Sequence, residues 1–359
     1  MSRPFIAFML ALSTLTAAVS PARHVRAAEA APHPSAQFVG NAVAGETLSA
    51  FPWATANTQP DATVEHLAAQ YLARFVHAPE PGLPTADDPL VATALADYRE
   101  YWRTVLMSDL PKEQAEAVLE KRVRRLLTAH GYPQEVDGGF TDALQRAIEQ
   151  RGYHAITGRT LPYLELMVWH DVEDTRYSVQ LTDGTVAVPV RFIGGFVSRG
   201  WVNFATLGKA SAGGWTEDNR LVCVKDDYDL DSEDFRVHYL QHEGRHFADY
   251  QRYPKLKSHD LEYRAKLTEL VYAESTLRPT LDRFIANARA DITSAHSYAE
   301  SVLVRNLARV LLKSDSPADA AAFSAVPDAS LKDAAAQLLE EYDRTAATRD
   351  PRTLESLIM

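Results

Sequence analysis

The chain has 359 residues, 46% hydrophobic and 24% charged, which is enough for one large core or two smaller ones and excludes a wholly disordered protein. Its formal net charge of −11 repels phosphate backbones and argues against nucleic acid as a partner. Cys223 is the only cysteine, so no internal disulfide can form in any compartment.

The first 30 residues have the pattern of a secretory signal peptide. Arg3 gives a positive start, an apolar run covers residues 4–19, and small residues around Ala22 and Ala30 offer cleavage sites. The run is shorter than the roughly 20 residues that a membrane span needs. We therefore expect a secreted or periplasmic protein with no stable membrane insertion after signal removal.

The next two regions differ in periodicity. Residues 31–60 are rich in Ala, Pro, Ser, Thr and Asn without helical or strand periodicity, which predicts a flexible leader. Residues 61–151 should form an N-terminal helical region, since apolar residues recur there at helical spacing. Asp88-Pro89 opens one of its helices, because proline suits a first helical position, and Gly131 ends another.

The middle of the chain changes to strand periodicity. "YSVQL" and "VAVPVRF" alternate apolar and other residues around "TDGT", which predicts a hairpin, and "LELMVW" and "RLVCVK" add further strands. From Ser232 onward the pattern is helical again. Helices, then strands, then helices predict an α+β fold that is mostly helical, with a small mixed sheet.

The first helix after the strands carries a metal-binding pattern. Ser232 or Asp231 can cap it, and Pro254 ends it. His242 and His246, four residues apart, share a helix face, so both imidazoles can reach one ion. Glu243 lies about 100° further round, which suits a base beside a metal-bound water. This is the HExxH arrangement of zinc hydrolases.

A catalytic zinc needs a third protein ligand, and the next helix can supply one. "SHDLEYRAKLTELVYAES", which Asp260 can cap, places Glu262 and Glu269 seven residues apart on one face. They are about 10.5 Å apart along the axis, so only one can bind the ion. Glu262 and Glu269 are therefore the candidate ligands, and Glu274 is a weaker third option.

The motif resembles the gluzincins, zinc metallopeptidases with two histidines and a glutamate as ligands. Within them, the CAAX-processing type places its third ligand in Glu-x-x-Ala-Asp. "EYRAK" matches this pattern through Ala265 and departs from it at Lys266, so we assign Glu262 as the ligand, with Glu269 as the alternative. The resemblance implies a zincin-like catalytic region over residues 152–359, ending in helices. The missing aspartate normally supports a ligating histidine, so we expect Glu269 or Asp249 to replace it.

These features predict a secreted Zn2+-dependent hydrolase, most simply a metallopeptidase acting on a peptide or protein, with Glu243 as general base. Amidase action on cell-wall material uses the same motif. The alternative is a non-catalytic secreted binding or scaffold protein on a zincin fold with a vestigial or structural metal. The resemblance also implies an oxyanion-steadying tyrosine or histidine, but nothing selects among the three nearby tyrosines, Tyr250, Tyr263 and Tyr272. We expect His238 to make a packing hydrogen bond, and a strand to pass close to Gly244.

Overall fold

The computed structural model describes residues 34–49, 62–77, 82–132, 139–217, 220–316 and 318–358. Helices are followed by strands and then by further helices, which confirms the predicted α+β class. The contacts divide the chain into two compact units. The N-terminal unit consists of the described residues up to 172 together with 193–213, and the C-terminal unit consists of 173–192 and 214–358.

The N-terminal unit begins with helices: α1 (Pro34–Ala44), α2 (Ala62–Tyr71), α3 (Pro89–Met107), α4 (Lys112–Ala129) and α5 (Gly139–Glu149). Asp88 accepts hydrogen bonds from the backbone of Leu90 and Val91, which confirms the start predicted for α3. Apolar residues of these helices form the core of this unit, with Trp102 at 1% exposure among the largest.

Part of the predicted flexible leader is helical, which corrects the expectation for its first residues. Phe38 and Ala42, one turn apart in α1, are fully buried in the N-terminal core. Gly40 and Asn41 between them interrupt the apolar pattern, so the helical period is not evident in the sequence. Residues 1–33, with the predicted signal peptide, and 50–61 lie outside the part of the chain that the structure describes.

A five-stranded sheet has the order β1-β2-β3-β5-β4. Its strands are β1 (His154–Thr160), β2 (Tyr163–Leu181), β3 (Gly184–Arg199), β4 (Gly214–Glu217) and β5 (Arg220–Val224), with the short helix α6 (Gly200–Ala205) between β3 and β4. The "TDGT" hairpin is confirmed between β2 and β3. "LELMVW" and "YSVQL" form one strand rather than two, and both β2 and β3 run through the two units.

The helices of the C-terminal unit are α7 (His242–Arg252), α8 (Ser258–Tyr272), α9 (Leu277–Asn287), α10 (Ala295–Leu307), α11 (Ala320–Phe323) and α12 (Asp328–Ala346). α8 packs against α7, α10 and α12 and is buried from His259 to Leu270. No helix in the described ranges combines the length and apolar character needed to cross a bilayer.

Asp260 does not cap α8, which corrects the sequence expectation. The helix starts at Ser258 without a side-chain cap. Asp260 instead accepts hydrogen bonds from the Tyr342 and Ser356 hydroxyls and from the backbone of Leu357. Its charge therefore attaches the end of the chain to the start of α8.

The motif helix lies close to the sheet at Gly244, as predicted. A Cβ at Gly244 would lie 3.1 Å from Cγ1 of Val179, a buried residue of β2. We expect Gly244→Val to lower the free energy of unfolding by about 1–3 kcal/mol, because its methyl groups overpack this contact. Urea denaturation measures the loss, and Val179→Ala in the same chain should recover part of it.

Gln251→Val is the control, because residue 251 is exposed on the same helix and should change stability only slightly. Valine has a higher intrinsic helix propensity than glycine by a few tenths of a kcal/mol. A Gly244→Val protein as stable as the wild type would therefore contradict the close packing.

Candidate metal centre

The helix that carries the motif changes its winding at His242. Ser232 accepts a hydrogen bond from the Phe235 backbone and so caps the first turn, as predicted. Residues Asp234–Gln241 are π-helical, and α7 continues from His242 to Arg252, just before Pro254. π-helical turns are rare and are frequent at functional sites.

α7 and α8 bring three buried side chains together. Nε2 of His246 lies 3.1 Å from Nε2 of His242 and 3.3 Å from Oε1 of Glu262. Nε2 of His242 lies 3.7 Å from Oε2 of Glu262. One ligand atom from each residue falls within 4.8 Å of the others, the geometry of a group that can hold a metal ion.

The hydrogen bond of His242 to Glu269 turns its Nε2 toward the other two side chains. His242 Nδ1 donates to Glu269 Oε1 at 2.6 Å, since a carboxylate can only accept, and this places the lone pair of the neutral ring on Nε2. No donor hydrogen among the described residues is aligned with Glu262 Oε2, although His296 Nδ1 lies 2.9 Å away. Two imidazole nitrogens and a buried carboxylate are donors that zinc accepts.

The charges of the metal-free site show the same preference. Burial opposes a charge on His246, but the hydrogen bond to Glu262 and its negative charge outweigh burial and raise the pKa of His246 to about 9. Burial raises the pKa of Glu262, yet His246 and His296 outweigh it and hold that pKa well below its usual range. The site therefore favours a positive charge between the two helices.

Glu243 is buried at this site, and of the three candidate tyrosines Tyr250 is the one whose surroundings include it. Burial, then the charges of Glu243 and Glu262, raise the pKa of Tyr250, whose side chain is partly exposed. Tyr263 instead accepts a hydrogen bond from Asn306. Burial raises the pKa of Tyr272, and the charges that act on it are those of Arg245 and Asp183 rather than those of Glu243 or Glu262.

The other sequence candidates have different positions. Glu269 lies behind His242 on its Nδ1 side, where it supports the imidazole. Asp249 accepts hydrogen bonds from Arg264 at 2.7 and 3.1 Å, and its charge, but no hydrogen bond, acts on His246. Glu274 is exposed. Lys266 occupies the position of the aspartate in the Glu-x-x-Ala-Asp pattern. It is buried and paired with Glu300 at 3.0 Å.

Sequence reasoning missed His296. This residue lies in the first turn of α10, with its Nδ1 2.9 Å from Oε2 of Glu262. Its side chain is 43% exposed, so it lies at the edge of the buried centre. A single histidine on a separate helix has no spacing relation to the motif. Only the packing of α10 on α8 reveals it.

No protein-family model, curated protein or solved structure matches this chain. The geometry of the site is therefore the observation that bears on function.

Substitutions of Glu269 and Asp249, the two acids expected to support a ligating histidine, should have different effects on zinc affinity and stability. Glu269→Gln replaces one of two accepting oxygens with an NH2 group that cannot accept from a ring N–H, so one of the two histidine contacts is lost and we expect zinc affinity to fall about 10–100-fold. Asp249→Asn breaks a buried ion pair with Arg264 and should cost about 3 kcal/mol of stability while lowering zinc affinity much less than Glu269→Gln, because only its charge and no hydrogen bond reaches the histidines. Chelator competition and urea denaturation of both variants measure these effects. Equal loss of zinc affinity in the two would contradict the assignment.

Proposed function

We propose that the protein is a secreted or periplasmic zinc-dependent hydrolase, and specifically a metallopeptidase with a zincin-like C-terminal unit. The observation that carries the proposal is the buried convergence of His242, His246 and Glu262, with Glu243 beside them. An HExxH helix followed by a ligating glutamate is the arrangement used for metal-assisted hydrolysis.

In the proposed hydrolysis, the metal ligands and Glu243 have separate roles. A zinc ion held by His242, His246 and Glu262 would act as a Lewis acid and lower the pKa of a bound water to about 7. Glu243 accepts the proton of the attacking water and later passes it to the leaving amine. Its burial supports this role, because a base shielded from bulk water keeps its charge effective.

Tyr250 is the residue we assign to steady the oxyanion. It lies on α7 one turn beyond His246, and its pKa responds to Glu243 and Glu262. Its partial exposure leaves the phenol accessible to a substrate. A phenol O–H directed at a developing oxyanion lowers the barrier of acyl transfer.

A second candidate is a non-catalytic scaffold with a structural metal. The observation in its favour is the low exposure of all three ligand side chains, which is typical of a closed structural site. A substrate must reach the ion in the proposed hydrolase, whereas a structural metal needs no open position. Turnover separates the two, and amide-bond substrates from cell-wall material separate amidase from peptidase action.

Glu243→Gln should retain zinc and lose hydrolysis by about 10²–10⁴-fold, because it keeps the shape of the side chain but cannot accept the proton. His246→Ala should lose the metal itself. Metal analysis of the purified mature chain and turnover of a mixed peptide library measure both. Full activity of the glutamine variant would rule out the mechanism, and stoichiometric zinc without turnover in the wild type would favour the scaffold.

Tyr250→Phe should lower kcat about 10²-fold or more while zinc content stays unchanged, since it removes one oxyanion donor and no ligand. Tyr272→Phe is the matched control, because that hydroxyl lies under the influence of Arg245 and Asp183 instead. An equal loss of kcat in both variants would remove Tyr250 from its assigned role.

A further inference from the structure

Glu269 joins two histidines of the motif segment rather than one. Its Oε1 accepts from Nδ1 of His242 and its Oε2 from Nδ1 of His238, each at 2.6 Å. Arg283 adds a longer contact to Oε2 at 3.3 Å from a half-exposed side chain. The carboxylate is 3% exposed, so these donors rather than water fix its orientation.

The second ring nitrogen of His238, Nε2, also has a polar contact. Its Nε2 lies 2.9 Å from the hydroxyl oxygen of Thr276. That hydroxyl donates to Glu233 at 2.6 Å, which fixes its position beside His238. Thr280 Oγ1 lies 3.4 Å from the same nitrogen, so His238 contacts Glu269 on one side and two threonine hydroxyls on the other, and its ring cannot rotate without losing one of these contacts.

Glu233 in turn holds Thr276 in place beside His238. Its carboxylate accepts from the backbone of Glu274, Ser275 and Thr276 and from the hydroxyls of the last two, at the start of α9. Burial opposes the charge of Glu233, but these hydrogen bonds outweigh burial and lower its pKa to about 2. A continuous series of hydrogen bonds thus runs from the start of α9 to the metal centre.

We propose that His238 is a positioning residue for the metal centre, which acts through Glu269 on His242. By holding Oε2, His238 keeps Oε1 on the Nδ1 proton of His242, and Nε2 of His242 stays directed at His246 and Glu262. The inference rests on the metal-binding half of the proposed function and does not require hydrolysis.

The test compares His238→Ala, His238→Gln and the control His259→Ala with the wild type. His259 is a similarly buried histidine of α8, but it contacts Ser356 and Asp260 rather than the centre. Zinc affinity is measured by chelator competition, and ligand geometry by the visible absorption spectrum of the cobalt(II)-loaded protein. Thermal melting of the metal-free proteins reports whether each variant folds.

His238→Ala should weaken zinc binding about 10–100-fold and alter the cobalt spectrum, as loss of the partner behind a ligand does. His238→Gln keeps an N–H donor for Glu269 and should recover part of both readouts, and it replaces the alanine variant if that fails to fold. His259→Ala should lower the melting temperature without changing either.

Two results would overturn the inference. One is a folded His238→Ala protein with wild-type zinc affinity and cobalt spectrum, and the other is an equal loss in His259→Ala. A wild type that binds zinc but cleaves nothing overturns the proposed peptidase activity and leaves these readouts intact. A wild type that binds neither metal overturns both proposals.

Discussion

His242 lies between two carboxylates of the same helix, and the metal centre depends on that placement. Glu262 faces its Nε2 side and Glu269 its Nδ1 side. The two glutamates are seven residues apart on one face of α8, about 10.5 Å along the axis. That separation leaves room for an imidazole between them. One carboxylate is therefore available as a ligand, and the other sets which nitrogen of His242 carries its proton.

The central helix α8 is buried together with its charges, so each charge needs a partner. Arg264 is fully buried against Asp249 and Asp343, and Lys266 is paired with Glu300. Removing one partner of such a pair leaves an uncompensated buried charge, at a cost of about 3–5 kcal/mol. These pairs fix the rotation of α8, which in turn directs Glu262 and Glu269 at the histidines.

The departure at Lys266 from the resembled pattern has a structural explanation. Lys266 points to Glu300 of α10, away from the histidine pair, and Glu269 takes the supporting position one turn further along α8. The two residues are three apart, so the acid reaches His242 from the same helix. In this chain it is therefore Glu269, and not residue 266, that hydrogen-bonds His242.

The sequence was informative where helix geometry alone places side chains. Spacing on the motif helix was enough to pair His242 with His246, because residues four apart share a face in any α-helix. Spacing on α8 left Glu262 and Glu269 as alternatives, and the resemblance favoured Glu262. Spacing could not select His296, which reaches the site from another helix, nor the partner of His238. It missed α1 and misassigned Asp260, because their partners come from residues distant in the chain. Long-range packing leaves no periodic signal in one sequence.

The central claim is that one divalent ion is held by two imidazoles and one carboxylate. Zinc K-edge X-ray absorption of the zinc-loaded protein tests it most directly. Ligation by His242, His246 and Glu262 predicts about four ligands: two imidazole nitrogens at about 2.0–2.1 Å from zinc, with oxygen atoms as the others and no sulfur. Six oxygen ligands without imidazole scattering would contradict this assignment. So would a zinc–sulfur distance of about 2.3 Å, which would show that Cys223 binds the ion.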